Sequence, residues 1–288
     1  MRLISVPNVS EGRNSSFLDE LKDSVEARGG RVLDIHSDPV HNRSVLTAAG
    51  TDDQLVEGMV ALADRCTQID LTKHQGVHPR LGGLDVCPFV PLNSDLDHAT
   101  AVAVHAAKRI AGETGLSVYL YGSASPRESR SLPSLRKGGL EALAERARAG
   151  LAPDFGPQEI DLRRGVVCVG SRGPLVAFNV WLRCGEVDAK RIAARVRTTG
   201  GGPSGIRALG LQIEEGISQV SMNLTDPRKT GIDEAFAEVA HLAKTGGIEI
   251  SATEIVGLPP AVLMPNPQKE AARLLLAPGR SLETVLQD

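Results

Sequence analysis

An α+β fold is what this sequence predicts, on three observations. The strand and helix signals follow one rhythm, strand–helix–strand–strand–helix–strand, and they follow it twice. A stretch rich in Pro, Gly and Asp, Leu151–Gly165, with the turn Gly170-Ser171-Arg172-Gly173 behind it, separates the two runs. The links near Asp38-Pro39 and Glu214-Glu215-Gly216 are too short for a parallel crossover, so the strands they join should pair antiparallel. Two ferredoxin-like subdomains of the β-α-β-β-α-β type satisfy all three, over residues 1–173 and 174–288, with a ligand crevice between them. A doubly wound parallel sheet is the runner-up.

The elements follow in order. Leu3–Val6 is a short apolar strand closed by Pro7-Asn8, and Asn8–Asn14 reads as a polar loop. Ser15 or Ser16 can cap a helix whose apolar face is Phe17, Leu18, Leu21 and Val25, and Gly29-Gly30 ends it. Arg31–Ile35 and Arg43–Ala49 are strands around the turn at Asp38-Pro39. Thr51 or Asp52 caps a second helix carrying Leu55, Met59, Leu62 and Cys66 on one face. Val86–Leu92 is apolar with prolines at each end, and Asp95–Thr114 is a long amphipathic helix. Val118–Tyr121 is a strand, 122–137 is polar and basic, and a helix follows to about Arg148. In the second run, the strands are Leu175–Leu182, Ala208–Ile213, Ile217–Leu224 and Glu249–Thr253, and the helices Val187–Thr198 and Ile232–Thr245.

Composition narrows the function. Hydrophobic residues make up 41% and charged residues 23% of 288, enough for packed cores in a soluble chain. A net charge of -3 with 3% aromatics gives neither the bulk positive field nor the stacking platforms of a nucleic-acid binder. The cysteines, Cys66, Cys87, Cys168 and Cys184, are scattered and form no CxxC pair, as expected of buried thiols in a reducing compartment. The apolar run at the N-terminus is too short for a signal peptide and nothing approaches a membrane span, so a cytoplasmic protein is expected.

Chemistry concentrates in Lys73–Pro88, which holds His74, His78, Lys73, Arg80 and Asp85 among Gly76, Pro79, Gly82 and Gly83. The glycines and Pro79 preclude a smooth helix, so this is a polar loop between apolar segments, where reactive groups tend to sit. His78 is the candidate catalytic residue, because an imidazole alone exchanges protons near neutral pH. Arg80 would disfavour its protonated form and Asp85 would favour it. His74 and His78 have the i,i+4 spacing of helical zinc motifs, but the loop is not helical and no Glu follows His74, so no metal is expected. Asn8–Asn14 offers Asn, Ser, Glu and Arg before a helix N-terminus, a pocket for an anion or an amide. Thr199–Gly205 resembles a phosphate loop in glycine content only, and there is no Gly-x-Ser-x-Gly elbow. Ala152–Pro157 is a rigid turn placed between the two halves.

Several stretches together resemble glutamate formimidoyltransferase. They are Val6–Asn14, Asp38–Val45, Lys73–Pro88 with its Gly-x-His-Pro-Arg core, Val118–Gly122, Ala152–Pro157, Ala177-Phe178-Asn179, Gln219–Leu224 and Glu254–Leu258. The likeness runs in register from about residue 3 to 260, without the cyclodeaminase part that follows in the two-domain animal enzymes. It implies transfer of a formimino group from N-formimino-L-glutamate to tetrahydrofolate, giving 5-formimidoyltetrahydrofolate and L-glutamate. It places the catalytic histidine on His78 and the folate-binding stretch on Gly156, Pro157, Gln158, Glu159, Ile160, Asp161, Leu162, Arg163, Arg164 and Gly165. It implies a homodimer acting on small molecules, with tetrahydrofolate as co-substrate, while the charge, the few aromatics and the lack of a span already argue against a nucleic-acid or membrane partner. Asn8, Glu11, Asn42, Arg43, Lys73, Arg80 and Asp85 are the candidate substrate contacts, with Arg43, Arg80 and Lys73 as carboxylate anchors and Glu11 or Asp85 facing the cationic formimino group. His36 and Val77 depart from the family pattern, which has an acidic residue at the first and Glu or Gln at the second. A non-catalytic folate-binding paralogue, or a one-carbon enzyme acting on 5-formyltetrahydrofolate, is the alternative.

Overall fold

A computed structural model describes residues 3–127 and 130–287. Contacts divide the chain into two compact units, Met1–Arg172 and Gly173–Asp288. Both are mixed α and β, each with its own sheet and its own core. No helix among the described residues is long and apolar enough to cross a membrane.

The first unit runs β1 (Leu3–Ser5), β2 (Asn8–Val9), α1 (Ser15–Glu26), β3 (Arg31–Asp38), β4 (Arg43–Gly50), α2 (Asp52–Cys66), β5 (Leu84–Pro91), α3 (Leu96–Thr114), β6 (Ser117–Gly122), α4 (Leu132–Arg136), α5 (Gly139–Arg148) and β7 (Val166–Ser171). β1 and β2 are one interrupted strand lying between β4 and β5, antiparallel to both. Asn8 therefore belongs to the sheet rather than to the loop expected there. The interruption sits at Pro7, which has no N–H to give the ladder, although its carbonyl still accepts from Leu46 N at 2.9 Å. β3 pairs antiparallel with β4, while β5, β7 and β6 pair parallel, so this sheet is not antiparallel throughout. The long α3 makes the parallel crossover between β5 and β6 possible.

Capping follows the sequence with one correction. Asn14, not Ser15 or Ser16, caps α1 by accepting from Phe17 N at 3.1 Å. Thr51 and Gln54 form a capping box on α2, and α3 opens at Asp95 and ends at Gly115 in the left-handed region. Leu21, Val25, Leu55, Met59, Leu62, Phe89, Ala103 and Ile110 form the core between α1–α3 and the sheet, all with essentially no exposed surface. A second cluster, with Leu81, Tyr119, Leu135 and Leu143, fills the opposite face beneath α4 and α5. The rigid turn Ala152–Pro157 belongs to the first unit. It folds back inside the first, with Phe155 bridging to Val118 and Asp154 Oδ2 accepting from Leu120 N at 2.7 Å.

The second unit runs β8 (Val176–Leu182), α6 (Glu186–Val196), β9 (Ile206–Glu214), β10 (Ile217–Leu224), α7 (Ile232–Thr245) and β11 (Ile250–Val256). Short helices α8 (Glu270–Arg273) and α9 (Leu282–Gln287), which the sequence reading did not anticipate, follow. Its sheet is wholly antiparallel in the order β11-β8-β10-β9. Phe178, Val180, Val220 and Met222 point to the helices and pack on Ile192, Val196, Phe236 and Val239. Thr199–Gly205 is a tight turn tied by Thr198 Oγ1, which donates to Pro203 O at 2.9 Å.

Candidate active site

The loop between α2 and β5 is held in place by its own side chains. Arg80 reaches across the β3–β4 turn, donating from Nη2 to His41 O at 2.9 Å and from Nη1 to Asn42 O at 3.2 Å. Nε and Nη2 also donate to His78 O, at 3.1 and 2.7 Å. One guanidinium thus ties the loop to the hairpin, and burial followed by the field of Arg43 draws its pKa down to about 10. His74 donates from Nε2 to Ser10 O at 2.9 Å and accepts on Nδ1 from Arg80 Nη1 at 2.5 Å. Burial and Arg80 hold its pKa below the ordinary histidine value. Gly76 is required here because a Cβ would lie 2.3 Å from His41 O.

The hairpin turn is equally defined. Asn42 takes a positive φ of 45°, uncommon outside glycine but tolerated best by Asn and Asp. Its Oδ1 accepts from Gly12 N at 2.9 Å, and its Nδ2 donates to Gln75 O at 3.0 Å. Glu11 Oε1 accepts from the backbone N–H groups of Gly12, Arg13 and Asn14 at 2.7–2.9 Å. Glu11, Asn42, His74 and Arg80 therefore form one positioning network. It borders a pocket of about 410 Å³ that Arg13, Phe17, Asp70 and Lys73 also line and His78 does not. Lys73 extends into solvent, 3.8 Å from Asp70.

A second network lies beside His78. Asp85 enters at the start of β5 and is completely buried. Its Oδ1 accepts from Leu81 N at 2.7 Å, and its Oδ2 accepts from Arg43 Nη1 at 2.7 Å and from Arg136 Nη2. Arg43 Nη2 in turn donates to Asn8 Oδ1 at 2.8 Å. Burial alone would raise the Asp85 pKa, but Arg136 and Arg43 outweigh it and hold the carboxyl well below the usual range. Two guanidinium ions against one carboxylate leave this floor with a net positive charge. With both oxygens engaged, Asp85 holds the arginines and is not free to face a cationic substrate group.

His78 sits against this floor and is half-buried. Its Nδ1 lies 2.8 Å from Pro79 O, and a carbonyl only accepts, so Nδ1 carries the proton and Nε2 the free lone pair. The His41 ring is 5.8 Å away at an interplanar angle of 50°. Burial, then the fields of Arg43 and Arg136, push the His78 pKa well below 6.5, against a smaller opposing pull from Asp85. The imidazole is therefore neutral at neutral pH, able to accept a proton and disposed to release it again.

The stretch 156–165 is stitched to the other side of the same loop. Leu71 N donates to Arg163 O at 2.8 Å and Val166 N to Leu81 O at 2.8 Å, and Gly82 bridges Gly165. Ile160 is buried, Leu162 is exposed, and Asp161 pairs with Arg164 at 2.8 Å. Ser117 Oγ donates to Pro157 O at 2.7 Å, while Gln158 and Glu159 are exposed. The structure thus joins Asn8, Arg43 and Asp85 in one network beside His78, joins Glu11, Asn42 and Arg80 in another, and leaves Lys73 outside both. Of the two departures, His36 lies opposite Val45 within the β3–β4 ladder, and Val77 is 46% exposed. The sequence does not single out Arg136, and it offers His41 only as one of four histidines in the first half, not as a neighbour of the His78 ring. The only local signal for Arg136 was Ser131-Leu132-Pro133, a cap followed by proline that opens a short helix.

Comparison with known proteins adds an independent line. Residues 2–172 match the family model "Formiminotransferase domain, N-terminal subdomain", and residues 177–269 match "Formiminotransferase domain". The chain is 38% identical over 263 residues to the glutamate formimidoyltransferase of Streptococcus pyogenes serotype M1, covering 89% of this chain and 88% of that protein. The glutamate formimidoyltransferase of Thermoplasma acidophilum is 35% identical over 264 residues, covering 88% and 87%. The formimidoyltransferase-cyclodeaminase of Sus scrofa is 39% identical over 267 residues, but this chain spans only 49% of that protein.

Proposed function

The chain belongs to the formiminotransferase family, and from that premise we propose that it is a glutamate formimidoyltransferase that uses His78 to move the proton. The acceptor is tetrahydrofolate and the donor N-formimino-L-glutamate. The secondary amine of the folate attacks the amidine carbon, and His78 Nε2 takes the proton that this nitrogen sheds. The glutamate nitrogen then leaves with its bonding electron pair and receives that proton, giving L-glutamate and 5-formimidoyltetrahydrofolate. One group serving as base and then acid contributes about 10²–10⁴-fold in rate.

The hydrogen bond from His78 Nδ1 to Pro79 O carries this reading, because it leaves Nε2 available as the acceptor. The two-arginine floor serves the second half of the cycle. An imidazolium beside Arg43 and Arg136 is disfavoured, so the captured proton passes readily to the leaving nitrogen. Unspent N–H groups of Arg43 and Arg136 provide anchorage for a substrate carboxylate, Arg being suited to bidentate pairing. Positioning both substrates can supply as much as ~7–11 kcal/mol of the barrier.

We assign residues 1–173 and 174–288 as the N- and C-terminal subdomains and read both as ferredoxin-like. The strand orders β3-β4-β1/β2-β5 and β9-β10-β8-β11 support that reading. The folate stretch 156–165 and the homodimer rest on the family resemblance, and the cytoplasmic location on the scattered cysteines. The test is turnover of N-formimino-L-glutamate with tetrahydrofolate by the purified chain, beside His78→Ala. Turnover by the parent that is lost in the variant is expected. Turnover undiminished in His78→Ala would sink the mechanism, and folate binding without turnover would favour a non-catalytic paralogue.

A further inference from the structure

His41 lies in the turn between β3 and β4, and the contacts of that turn fix where its ring goes. Asp38, the last residue of β3, stands opposite Arg43 in the ladder. Its Oδ1 accepts from Val40 N and from His41 N, both at 2.8 Å, the pattern of an Asx turn. Arg13 Nε donates to Pro39 O at 2.7 Å, and Arg80 Nη2 donates to His41 O at 2.9 Å. Gly12 packs so closely against the turn that a Cβ there would lie 2.3 Å from Asp38 O. His41 is thereby held in the interior, 6% exposed, with its ring 5.8 Å from that of His78. Its Nδ1 lies 3.3 Å from Asp38 Oδ2.

Two neighbouring imidazoles do not readily both take a proton, because each cation opposes the other. The charges around this pair are not symmetrical. His78 faces Arg43 of β4 and Arg136 of α4, and Asp85 of β5 is already shared between those two arginines. His41 works on His78 in the same direction as the arginines. At His41 the Asp38 carboxylate addresses the ring itself. Arg13 and Arg80 also reach this turn and oppose a proton there, but they meet backbone carbonyls. The first proton to enter the pair therefore belongs on His41, where Asp38 balances it. We propose that His41 is a positioning residue for the proton transfer: with Asp38 it takes the proton that the two rings would otherwise share, and so keeps His78 in its base form. Resting on the function proposed above, this leaves His78 open to the proton of the folate amine and ready to pass it to the glutamate nitrogen. His41 acts through the His78 ring and needs no contact with either substrate. A residue kept only for packing would need neither a basic nitrogen nor a carboxylate beside it.

The test separates charge from packing in the full chain. His41→Phe keeps an aromatic ring against His78 but removes the basic nitrogen, and His41→Gln removes both. In either variant the NMR titration of His78 should move to higher pH, because the Asp38 carboxylate stays and the cation it balanced is gone. The acid limb of kcat/KM should move with it, read as about 3–10-fold lower kcat/KM on that limb. KM for both substrates on the plateau should stay parental. In the parent, the His41 signals should titrate at higher pH than those of His78. Asp38→Asn keeps the turn, since Asn accepts the same N–H groups, and removes the charge. His41 should then titrate lower, and the two rings should share one step. The inference is overturned if His78 titrates first in the parent, if His41→Phe restores the parental limb that His41→Gln loses, or if both variants leave the limb and the His78 titration unmoved. The NMR titrations need no substrate. A parent chain that shows the expected order yet turns nothing over would count against the proposed function alone. A parent chain that turns over beside His41 variants of parental limb would count against the role of His41 alone.

Discussion

Arg43 Nη1 donates to Asp85 Oδ2 at 2.7 Å, and that oxygen also accepts from Arg136, so the floor beside His78 carries more positive than negative charge. Both arginines lower the His78 pKa, and Asp85 raises it by less than burial and the cations take away. The base form therefore persists below 6.5, and the acid limb of kcat/KM should fall below that value. Arg136→Gln leaves Arg43 and Asp85 as a neutral pair. Removing a cation favours the imidazolium, so the limb should move to higher pH, toward 6.5. The pH profile of kcat/KM and the NMR titration of His78 check this together, and a limb unmoved in the variant would remove the field from the account.

His78→Gln should cost about 10²–10⁴-fold in kcat. It should also change how stability depends on pH. The folded-state pKa of His78 lies below its unfolded value near 6.5, so below that pH the unfolded chain binds the extra proton. The parent protein accordingly loses stability as pH falls below about 6.5 toward the depressed folded-state value. His78→Gln should lose less over that window, read as a narrowing gap in melting temperature. Asp85 contributes in the opposite sense and lower down. Its depressed pKa gives stability that is full above about 4 and is lost only as pH falls through the folded value.

Much of this arrangement could be read from the residues. The helix faces, the turn at Asp38-Pro39 and the non-helical loop around His78 follow from period, proline and glycine. The role of Asp85 could not be read. A lone Asp between Leu84 and Val86 looks like one polar residue on an apolar strand, and its meaning depends on Arg43 and Arg136, 42 and 51 residues away. Long-range charge pairing has no local signature. The same holds for Arg80, which the loop composition offered as a substrate anchor and the fold uses as a clamp on His41 and Asn42 carbonyls. The Pro7 break hid β2, because a strand that resumes for Asn8-Val9 leaves no periodic pattern to detect.

Asp85→Asn should be the most damaging single change in the first unit. It removes the shared negative charge and leaves Arg43, which is 9% exposed, beside Arg136 without compensation. Breaking a buried ion pair from one side costs about 3–5 kcal/mol. For a unit of this size that corresponds to roughly 6–20 °C in melting temperature. Changing Arg136 as well, to Gln, should recover part of the loss, because the remaining like-charge repulsion disappears. Thermal unfolding of the single and double variants measures the coupling, and strict additivity would show that the three side chains do not act as one network.

Gly165→Ala tests whether the stretch 156–165 acts on the site through the backbone. Gly165 has φ +74°, and a Cβ there would stand 2.1 Å from Leu81 O. The left-handed conformation alone costs a non-glycine residue about 1–3 kcal/mol. The contact with Leu81 adds displacement, because Leu81 O accepts from Val166 N at 2.8 Å while Leu81 N donates to Asp85. Moving Leu81, three residues along from His78, therefore disturbs the Asp85 carboxylate that gathers Arg43 and Arg136. The variant should lose several degrees in melting temperature and lose kcat as well, with the acid limb of its pH profile shifted. Gly112→Ala is the control. Gly112 lies in the last turn of α3 with nothing within 4 Å of its added Cβ and no positive φ. It should gain at most about 0.5–1 kcal/mol from helix propensity and leave the pH profile alone. If Gly165→Ala destabilises the fold yet keeps the parental profile, the stretch supports the sheet without tuning His78.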